Sequence, residues 1–257
     1  MLLAGLDIGS RNTKLVIIDQ VTKEIHYKHL VATGTRIDAT ISSILEHATG
    51  LVGDFDLVAA TGYGRNILRD KYPKFSEISC HAEGVLYFYP DCKTVIDIGG
   101  QDSKIMTIST RVNDFVMNDK CAAGTGRFLE LAAMILGVEV EELSELASKS
   151  TRELNLSSTC VVFAETEIIG MLAQGIESQD IIRAVHVSIA KRIKAQSAQL
   201  SILSPIIFTG GVAYNSDLLH CLEQVFSCSI RRTEHPVYTG ALGAALLLAK
   251  TRSENYG

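Results

Sequence analysis

The 257-residue chain lacks the features that define several common functional classes. It has 24 basic and 29 acidic residues and shows no basic stripe of the kind that binds nucleic acid. The longest apolar stretch near the C-terminus, ALGAALLLA at 241–249, is well short of the roughly 20 residues that a membrane-spanning helix needs. The segment MLLAGLDIGS has no basic region or cleavage site, so it predicts a first strand and not a signal peptide. We therefore expect a cytoplasmic protein that binds neither nucleic acid nor membrane.

Two further absences concern metal and nucleotide sites. No CxxC pair occurs among the cysteines, which argues against a zinc ribbon or a thioredoxin-type site. No GxxxxGK[ST] segment occurs, so a P-loop nucleotide site is excluded. In the cytoplasm the cysteines are expected to be reduced thiols or ligands, not disulfides. The six are Cys80, Cys92, Cys121, Cys160, Cys221 and Cys228.

The chain has ample apolar material for a core, since 47% of its residues are hydrophobic. Its first 90 residues predict a βββαβα series. The predicted strands are LLAGLDIG, TKLVIIDQ, EIHYKHLVA and DLVAATG, and the predicted helices are IDATISSILEHATGLVG and SEISCHAEGVLYFY.

The pattern then starts again and carries extra helices. Strands are predicted in KTVIDIGG, SKIMTIS, RVNDFVMN and PIIFTGGVAYN. Helices are predicted in GTGRFLELAAMILG, in VEVEELSELASKS, from about 165 to 175, from 178 to about 200, and in HPVYTGALGAALLLAK. No linker interrupts the series. We expect two related α/β lobes, the first formed by 1–92 plus about 243–257 and the second by 93–242.

One short motif occurs twice, as DIGSRNTKLV at 7–16 and as DIGGQDSKIM at 97–106. The glycines allow the backbone to approach an oxyanion, and successive N–H groups can then point at it. Hydroxyl and ammonium donors follow each glycine, and the aspartate at each strand end suits a Mg²⁺ ion held partly through water. A third glycine loop, FTGGVAYN, could accommodate an adenosine against bare backbone.

Three such loops in this order resemble the sugar kinase, Hsp70 and actin superfamily. That resemblance covers the whole chain. It implies an α/β fold with two ribonuclease-H-like lobes and an ATP site.

Two cysteines lie in motifs of their own. Cys121 is in NDKCAAGTGRFLE, just before a predicted helix, and Cys160 follows a Ser-Ser-Thr turn in SSTCVVFAETEI. Thiolates near helix N-termini are stabilised by the helix dipole and by free backbone N–H groups. The same features suit sulfurs that ligate an iron–sulfur cluster. A cubane cluster needs four ligands, so one chain could supply two and a second chain the other two.

The segments DIGGQDSK, NDKCAAGTGRFLE, CVVFAETEI and FTGGVAYN together closely resemble the activators of 2-hydroxyacyl-CoA dehydratases, in the family of the benzoyl-CoA reductase ATPase subunits. This resemblance implies a homodimer with one 4Fe-4S cluster at its axis, ligated by Cys121 and Cys160 of each subunit. It also implies Mg²⁺-dependent ATP binding and hydrolysis that drives single electrons from the cluster to a partner iron–sulfur dehydratase or reductase. A ferredoxin- or flavodoxin-type protein would supply the electrons.

The resemblance assigns the remaining site residues by position. Gln101 stands where a residue could orient the attacking water, and Asp102 beside it is the second catalytic candidate. Gly210 and Gly211 are the expected adenosine contacts. The expected phosphate and Mg²⁺ contacts are Asp7, Gly9, Ser10, Thr13, Lys14, Asp97, Gly99, Gly100, Ser103 and Lys104.

Other functions fit the same fold. A small-molecule kinase, such as an amino-sugar kinase, would use a carboxylate base, with Asp102 or Asp119 as candidates, and would have no need of paired cysteines. An activator of a double-cubane-cluster reductase or of an aryl-CoA reductase would share every motif above. Cys80 beside His81 is expected to be part of a helix face and not a metal pair, and His186 is expected to be structural.

Overall fold

A computed structural model describes residues 1–68, 71–157 and 160–255, with the side chains described to 252. The chain divides into two compact units. Unit 1 comprises Met1–Cys92, Ile108–Val112 and Val237 onward, and unit 2 comprises Lys93–Thr107 and Asn113–Pro236. Within the described residues, no helix combines the length and apolarity needed to cross a membrane.

Unit 1 contains a four-stranded sheet in the order β3-β2-β1-β4. β1 pairs antiparallel with β2 and parallel with β4. The strands are β1 (Leu2–Ile8), β2 (Asn12–Asp19), β3 (Ile25–Ala32) and β4 (Leu57–Thr61), and the helices are α1 (Ile37–Val52), α2 (Glu77–Phe88) and α8 (Thr239–Asn255).

The helices of unit 1 follow ordinary local rules. In α1 the buried residues Ile41, Ile44 and Ala48 repeat at helical spacing. α2 begins at a serine cap, because the Ser76 hydroxyl accepts a hydrogen bond from the Ser79 N–H at 3.1 Å. The apolar helix α8 packs against one face of the sheet, where it helps to bury Leu3.

Unit 2 contains a five-stranded sheet in the order β7-β6-β5-β8-β9. β5 is antiparallel to β6 and parallel to β8, as β1 is to β2 and β4. The strands are β5 (Thr94–Ile98), β6 (Ser103–Ile108), β7 (Val112–Asn118), β8 (Ile206–Thr209) and β9 (Ile230–Arg232). The helices are α3 (Gly126–Leu136), α4 (Leu143–Ser148), α5 (Val161–Ala173), α6 (Ser178–Gln196) and α7 (Ser216–Phe226).

The structure confirms the repeated strand pattern and corrects several elements of unit 2. The helix predicted from about 165 begins at Val161, and its residues Ala164 and Ile168, about one turn apart, are both buried. The predicted helix over VEVEELSELASKS is a short 3₁₀ turn, Val140–Glu142, followed by α4. α7 and the three-residue strand β9 were not predicted.

Candidate active site

The duplicated motif forms the same turn in both units. In unit 1 the Gly9 N–H donates to the Asn12 carbonyl at 3.1 Å, and in unit 2 the Gly99 N–H donates to the Asp102 carbonyl at 2.9 Å. The strand registers agree, since Asp7 pairs across the sheet with Lys14 and Asp97 pairs with Lys104. The sequence repeat is therefore a structural repeat of a strand, a tight turn and a returning strand.

Each turn begins at a buried aspartate that forms an ion pair with a lysine. Lys14 Nζ lies 3.0 Å from Asp7 Oδ2 in unit 1. Lys104 Nζ lies 3.3 Å from Asp97 Oδ2 and 2.7 Å from Asp102 Oδ2 in unit 2. Both strand-end aspartates are almost fully buried. A buried carboxylate requires such a partner, because ionised groups are costly to remove from water.

The predicted hydroxyl donors differ in their surroundings. Thr13 and Ser103 are fully buried and make hydrogen bonds inside their own units, Thr13 Oγ1 with Thr33 Oγ1 at 3.0 Å and Ser103 Oγ to Gln196 Oε1 at 3.2 Å. Ser10 and Gln101, by contrast, are exposed on their turns. The structure therefore places Thr13 and Ser103 as supports beneath the turns.

The third predicted loop follows β8. Gly210 has φ of 89°, and a Cβ there would lie 2.3 Å from the Ile98 carbonyl oxygen, so the turn requires glycine at this position. Gly211 is exposed and begins a 3₁₀ turn with open space around its Cα. An exposed glycine beside a strand end leaves backbone accessible to a flat ligand.

Unit 1 has a counterpart of this loop that sequence reasoning missed. Gly62 follows β4 with φ of 91°, and a Cβ on it would lie 2.6 Å from Asp7 Oδ1. In unit 2 a Cβ on Gly210 would lie 2.8 Å from Asp97 Oδ1. Each aspartate is thus bordered by a Thr-Gly turn from the neighbouring parallel strand. The Thr-Gly pair that follows both DLVAA and PIIF in the sequence is the pattern that indicates this counterpart.

Cys121 is exposed and lies directly before a 3₁₀ turn, Ala122–Gly124, that leads into α3. The Asn118 side chain forms hydrogen bonds with both the N–H and the carbonyl of Cys121. Asn118 Oδ1 accepts from the Cys121 N–H at 3.0 Å, and Asn118 Nδ2 donates to the Cys121 carbonyl at 2.7 Å. Asn118 was not predicted, although asparagine is a residue that commonly hydrogen-bonds nearby backbone in turns.

Cys160 is exposed and is itself the N-cap residue of α5. The predicted turn before it includes residues 158 and 159, which lie outside the described residues. Glu167, about two turns further along α5, accepts from the Ser157 N–H at 2.7 Å and from its hydroxyl at 3.0 Å. The segment that approaches Cys160 is therefore tied to the helix that Cys160 begins.

Three of the other four thiols are buried and unsuited to ligation, namely Cys80, Cys92 and Cys221. Burial raises the pKa of Cys80 and of Cys221 to about 12, so both remain protonated near neutral pH. Cys92 is buried as well. Among the residues that the structure describes, no cluster of three or more His, Cys, Asp or Glu side chains could hold a metal ion. Cys121 and Cys160 are the two cysteines that the structure shows as exposed.

The turn of the second motif, which is predicted to bind phosphate, is hydrogen-bonded directly to the start of α3. The Gly126 N–H donates to the Gly99 carbonyl at 2.9 Å, and the Arg127 N–H donates to the Gly100 carbonyl at 2.8 Å. α3 therefore begins on the glycines of the turn, a few residues after Cys121. Within unit 2, a shift of the turn would therefore move the first residues of α3 through these two hydrogen bonds.

Comparison with known proteins gives a specific result. The model of the BadF/BadG/BcrA/BcrD ATPase family matches residues 4–248. The chain belongs to this ATPase family. The resemblance identified from the motifs is confirmed, and so is ATP as the nucleotide.

Individual relatives of the family agree with this result. The chain is 44% identical to the (R)-2-hydroxyglutaryl-CoA dehydratase activating ATPase of Acidaminococcus fermentans over 96% of both chains. It is also similar to the activator of the 2-hydroxyisocaproyl-CoA dehydratase from Clostridium difficile with bound ADPNP. The TM-score is 0.92 and the identity 39%, with 100% of this chain and 97% of that chain covered.

A more distant structural similarity supports the fold prediction. A ROK family glucokinase from Streptomyces griseus matches with a TM-score of 0.63 at 17% identity over 96% of this chain and 99% of that chain. At this identity only the fold is shared. The predicted duplicated fold of the actin, Hsp70 and sugar kinase type is confirmed.

Proposed function

We propose that this chain is an ATP-dependent electron donor that acts as a homodimer on a partner iron–sulfur dehydratase. The observation that carries the proposal is the arrangement of unit 2. Two exposed cysteines each precede a helix, and the helix that follows Cys121 begins on the carbonyls of the second phosphate turn.

The turns provide the chemistry for MgATP. Gly9 and Gly99 give each turn a backbone that can approach phosphate oxygens, and Gln101 is exposed where it could orient a water molecule. The aspartates Asp7 and Asp97 are oxygen donors suited to a hydrated Mg²⁺ ion. Gly210 and Gly211 would contact the adenosine.

Cys121 and Cys160 would hold two corners of a 4Fe-4S cluster, and the same residues of a second copy would hold the other two. The cluster supplies one electron at a low reduction potential, which depends on hydrogen bonds to its sulfurs and on its exposure to solvent. The chain's part is to position two thiolates and to control their surroundings. Asn118 does so for Cys121 through its two backbone hydrogen bonds.

An apolar face of α5 supports the dimer. Val162 and Phe163 are each 68% exposed and Ile169 is 51% exposed, and all three lie within three turns of Cys160. Large apolar side chains on one helix face are typical of interaction sites. A second copy placed against this face would bring its own Cys160 near the first.

The names of two relatives support the class of partner that we propose. One is an activating ATPase of a 2-hydroxyglutaryl-CoA dehydratase and another is an activator of a 2-hydroxyisocaproyl-CoA dehydratase. We infer a 2-hydroxyacyl-CoA dehydratase as the electron acceptor and a ferredoxin- or flavodoxin-type protein as the donor. The acyl-CoA substrate would bind the dehydratase and not this chain.

The test is the iron and acid-labile sulfide content of anaerobically purified protein, with an electron paramagnetic resonance spectrum after dithionite reduction. We expect about two irons per chain, which corresponds to one four-iron cluster per dimer. Cys121→Ser and Cys160→Ser should each lose the iron and the signal. Cys228→Ser is the matched control and should keep both.

Iron-free wild-type protein that still hydrolyses ATP would contradict the proposal. That result would favour phosphoryl transfer to a small molecule, and sugars and amino sugars would then be screened as acceptors. Loss of iron in Cys228→Ser alone would contradict the assignment of the ligands.

A further inference from the structure

Gly240 borders a gap in unit 1 between two polar side chains. A Cβ placed on Gly240 would lie 3.1 Å from Asp7 Oδ2 and 3.2 Å from His81 Nε2. Gly240 is the second residue of α8 and its φ is not positive, so its backbone does not require glycine. Glycine at this position leaves open the space between the Asp7 carboxylate and the His81 imidazole.

His81 is held so that one ring nitrogen faces this gap. Its ring is more than nine-tenths buried on α2, and its Nδ1 lies 3.0 Å from the Thr239 hydroxyl. An ionised carboxylate only accepts hydrogen bonds, so Nε2 is the nitrogen that must carry the proton to interact favourably with Asp7. Nδ1 then accepts the hydrogen bond from Thr239.

The Asp7 carboxylate is restrained on its other sides as well. Lys14 Nζ contacts Oδ2 at 3.0 Å, and the backbone around Gly62 crowds Oδ1. A second donor near Oδ2 would fix the orientation of the carboxylate further. An imidazole N–H provides such a donor.

We propose that His81 is a positioning residue for the Asp7 carboxylate in binding MgATP, with Gly240 kept small so that the two side chains can interact. This inference rests on the proposed role of Asp7 at the nucleotide phosphates and Mg²⁺. It gives a function to the histidine of the CHAEG segment, which sequence analysis placed on an ordinary helix face.

The two amide substitutions of His81 separate this role from a merely structural one. In His81→Gln the amide nitrogen can replace Nε2 as a donor, and in His81→Asn the amide oxygen can replace Nδ1 as the acceptor of the Thr239 hydroxyl. If His81 acts through Asp7, His81→Gln should behave like wild type and His81→Asn should not. If His81 only anchors Thr239, the order should be reversed.

The experiment compares ADP binding by calorimetry in excess Mg²⁺ and in chelator, together with kcat and KM for ATP. Loss of a residue that orients a metal-binding carboxylate typically costs about 10–100-fold in metal affinity or activity. Mg²⁺ should raise the ADP affinity of the wild type. We expect this increase to be about tenfold smaller in His81→Asn and in Gly240→Ala. ADP affinity in chelator should be unchanged. His26→Asn, on the exposed part of β3, is the control.

Equal Mg²⁺ dependence in wild type, His81→Asn and Gly240→Ala would overturn the inference. If His81→Asn does not fold, Gly240→Ala carries the test, because its three nearest contacts are all side-chain atoms of Asp7 and His81. Failure of the proposed electron-donor function has a different signature, an iron-free wild-type protein. That result leaves the comparison of Mg²⁺ dependence intact.

Discussion

Asp217 at the start of α7 is a buried carboxylate that joins two neighbouring helices. Its Oδ2 lies 2.6 Å from His186 Nδ1, and its Oδ1 forms an ion pair with Arg183, both on α6. Burial lowers the pKa of His186 and outweighs the opposing effect of Asp217. Burial also tends to raise the pKa of Asp217, but His186 and Arg183 bring that pKa below its ordinary value. His186 is therefore a neutral donor to an ionised aspartate.

This arrangement predicts that unit 2 loses stability in mild acid. Because the pKa of His186 is lower in the folded protein than its ordinary 6.5, the unfolded chain binds a proton that the folded chain does not. Stability contributed by the neutral imidazole is complete above pH 6.5 and is lost as the pH falls below it. We expect the urea midpoint to be lower at pH 5.5 than at pH 7.5.

His186→Asn should remove that part of the pH dependence, while the exposed His220→Asn should keep it. The measurement is urea unfolding of each variant at both pH values. The same change in midpoint for wild type and His186→Asn would show that another group is responsible.

At the scale of secondary-structure elements, α2 and α8 pack so closely that glycine is required where they meet. A Cβ on Gly84 would lie 2.1 Å from the Thr239 carbonyl oxygen, and one on Gly243 would lie 1.8 Å from the Cys80 carbonyl oxygen. These distances are far shorter than van der Waals contact, and the atoms they involve belong to backbone. The two helices therefore pack with their main chains against each other.

Gly243→Ala should destabilise the protein by about 3 kcal/mol, the upper part of the range for overpacking a core. Gly50→Ala is the matched control, since Gly50 is also within a helix but has open space around it. That substitution should stabilise by about 0.5–1 kcal/mol, because alanine has fewer unfolded conformations to lose. Chemical unfolding of both variants measures the difference. Equal effects would contradict the close packing.

Some secondary-structure elements could be predicted from the sequence more accurately than others. The two turns of the duplicated motif could be predicted because each is local, with glycine, turn and returning strand inside ten residues. α7 was missed although Asn215 caps it and Leu218, Cys221 and Leu222 are buried at helical spacing, so its signal was available. The start of α5 was misplaced because β-branched residues and a phenylalanine open the helix, and these favour strands.

The contacts that could not be predicted join distant parts of the sequence. His81 reaches Thr239 across 158 residues, and the gap beside Gly240 exists only once α8 lies beside β1 and α2. No local pattern encodes such a contact. The support of Cys121 by Asn118, three residues away, was within reach of sequence reasoning and was overlooked.

For the whole molecule, the proposed dimer has to form before the cluster can be complete. We expect Ile169→Glu to weaken the dimer by at least about tenfold, because it places a charge in the centre of an apolar contact. Leu51→Glu on α1 is the control, since Leu51 is a similarly exposed apolar residue that is not part of α5. Sedimentation equilibrium gives the dissociation constants, and iron per chain should fall in parallel for Ile169→Glu alone.

A monomeric wild-type protein that nonetheless carries four irons per chain would contradict this prediction. So would an Ile169→Glu variant with unaltered sedimentation and iron content. Either result would require ligands beyond the two cysteines of each chain.

The place of α8 in the chain has a consequence for synthesis. α8 covers the sheet of unit 1 and helps to bury Leu3, Val16 and Ala59, yet it leaves the ribosome after every other described element. Since domains generally fold as their chain emerges, the strands of unit 2 are all available while unit 1 still lacks its covering helix. The nascent chain therefore exposes one apolar sheet face until α8 has emerged from the ribosome, and a chaperone has the most to contribute during that interval.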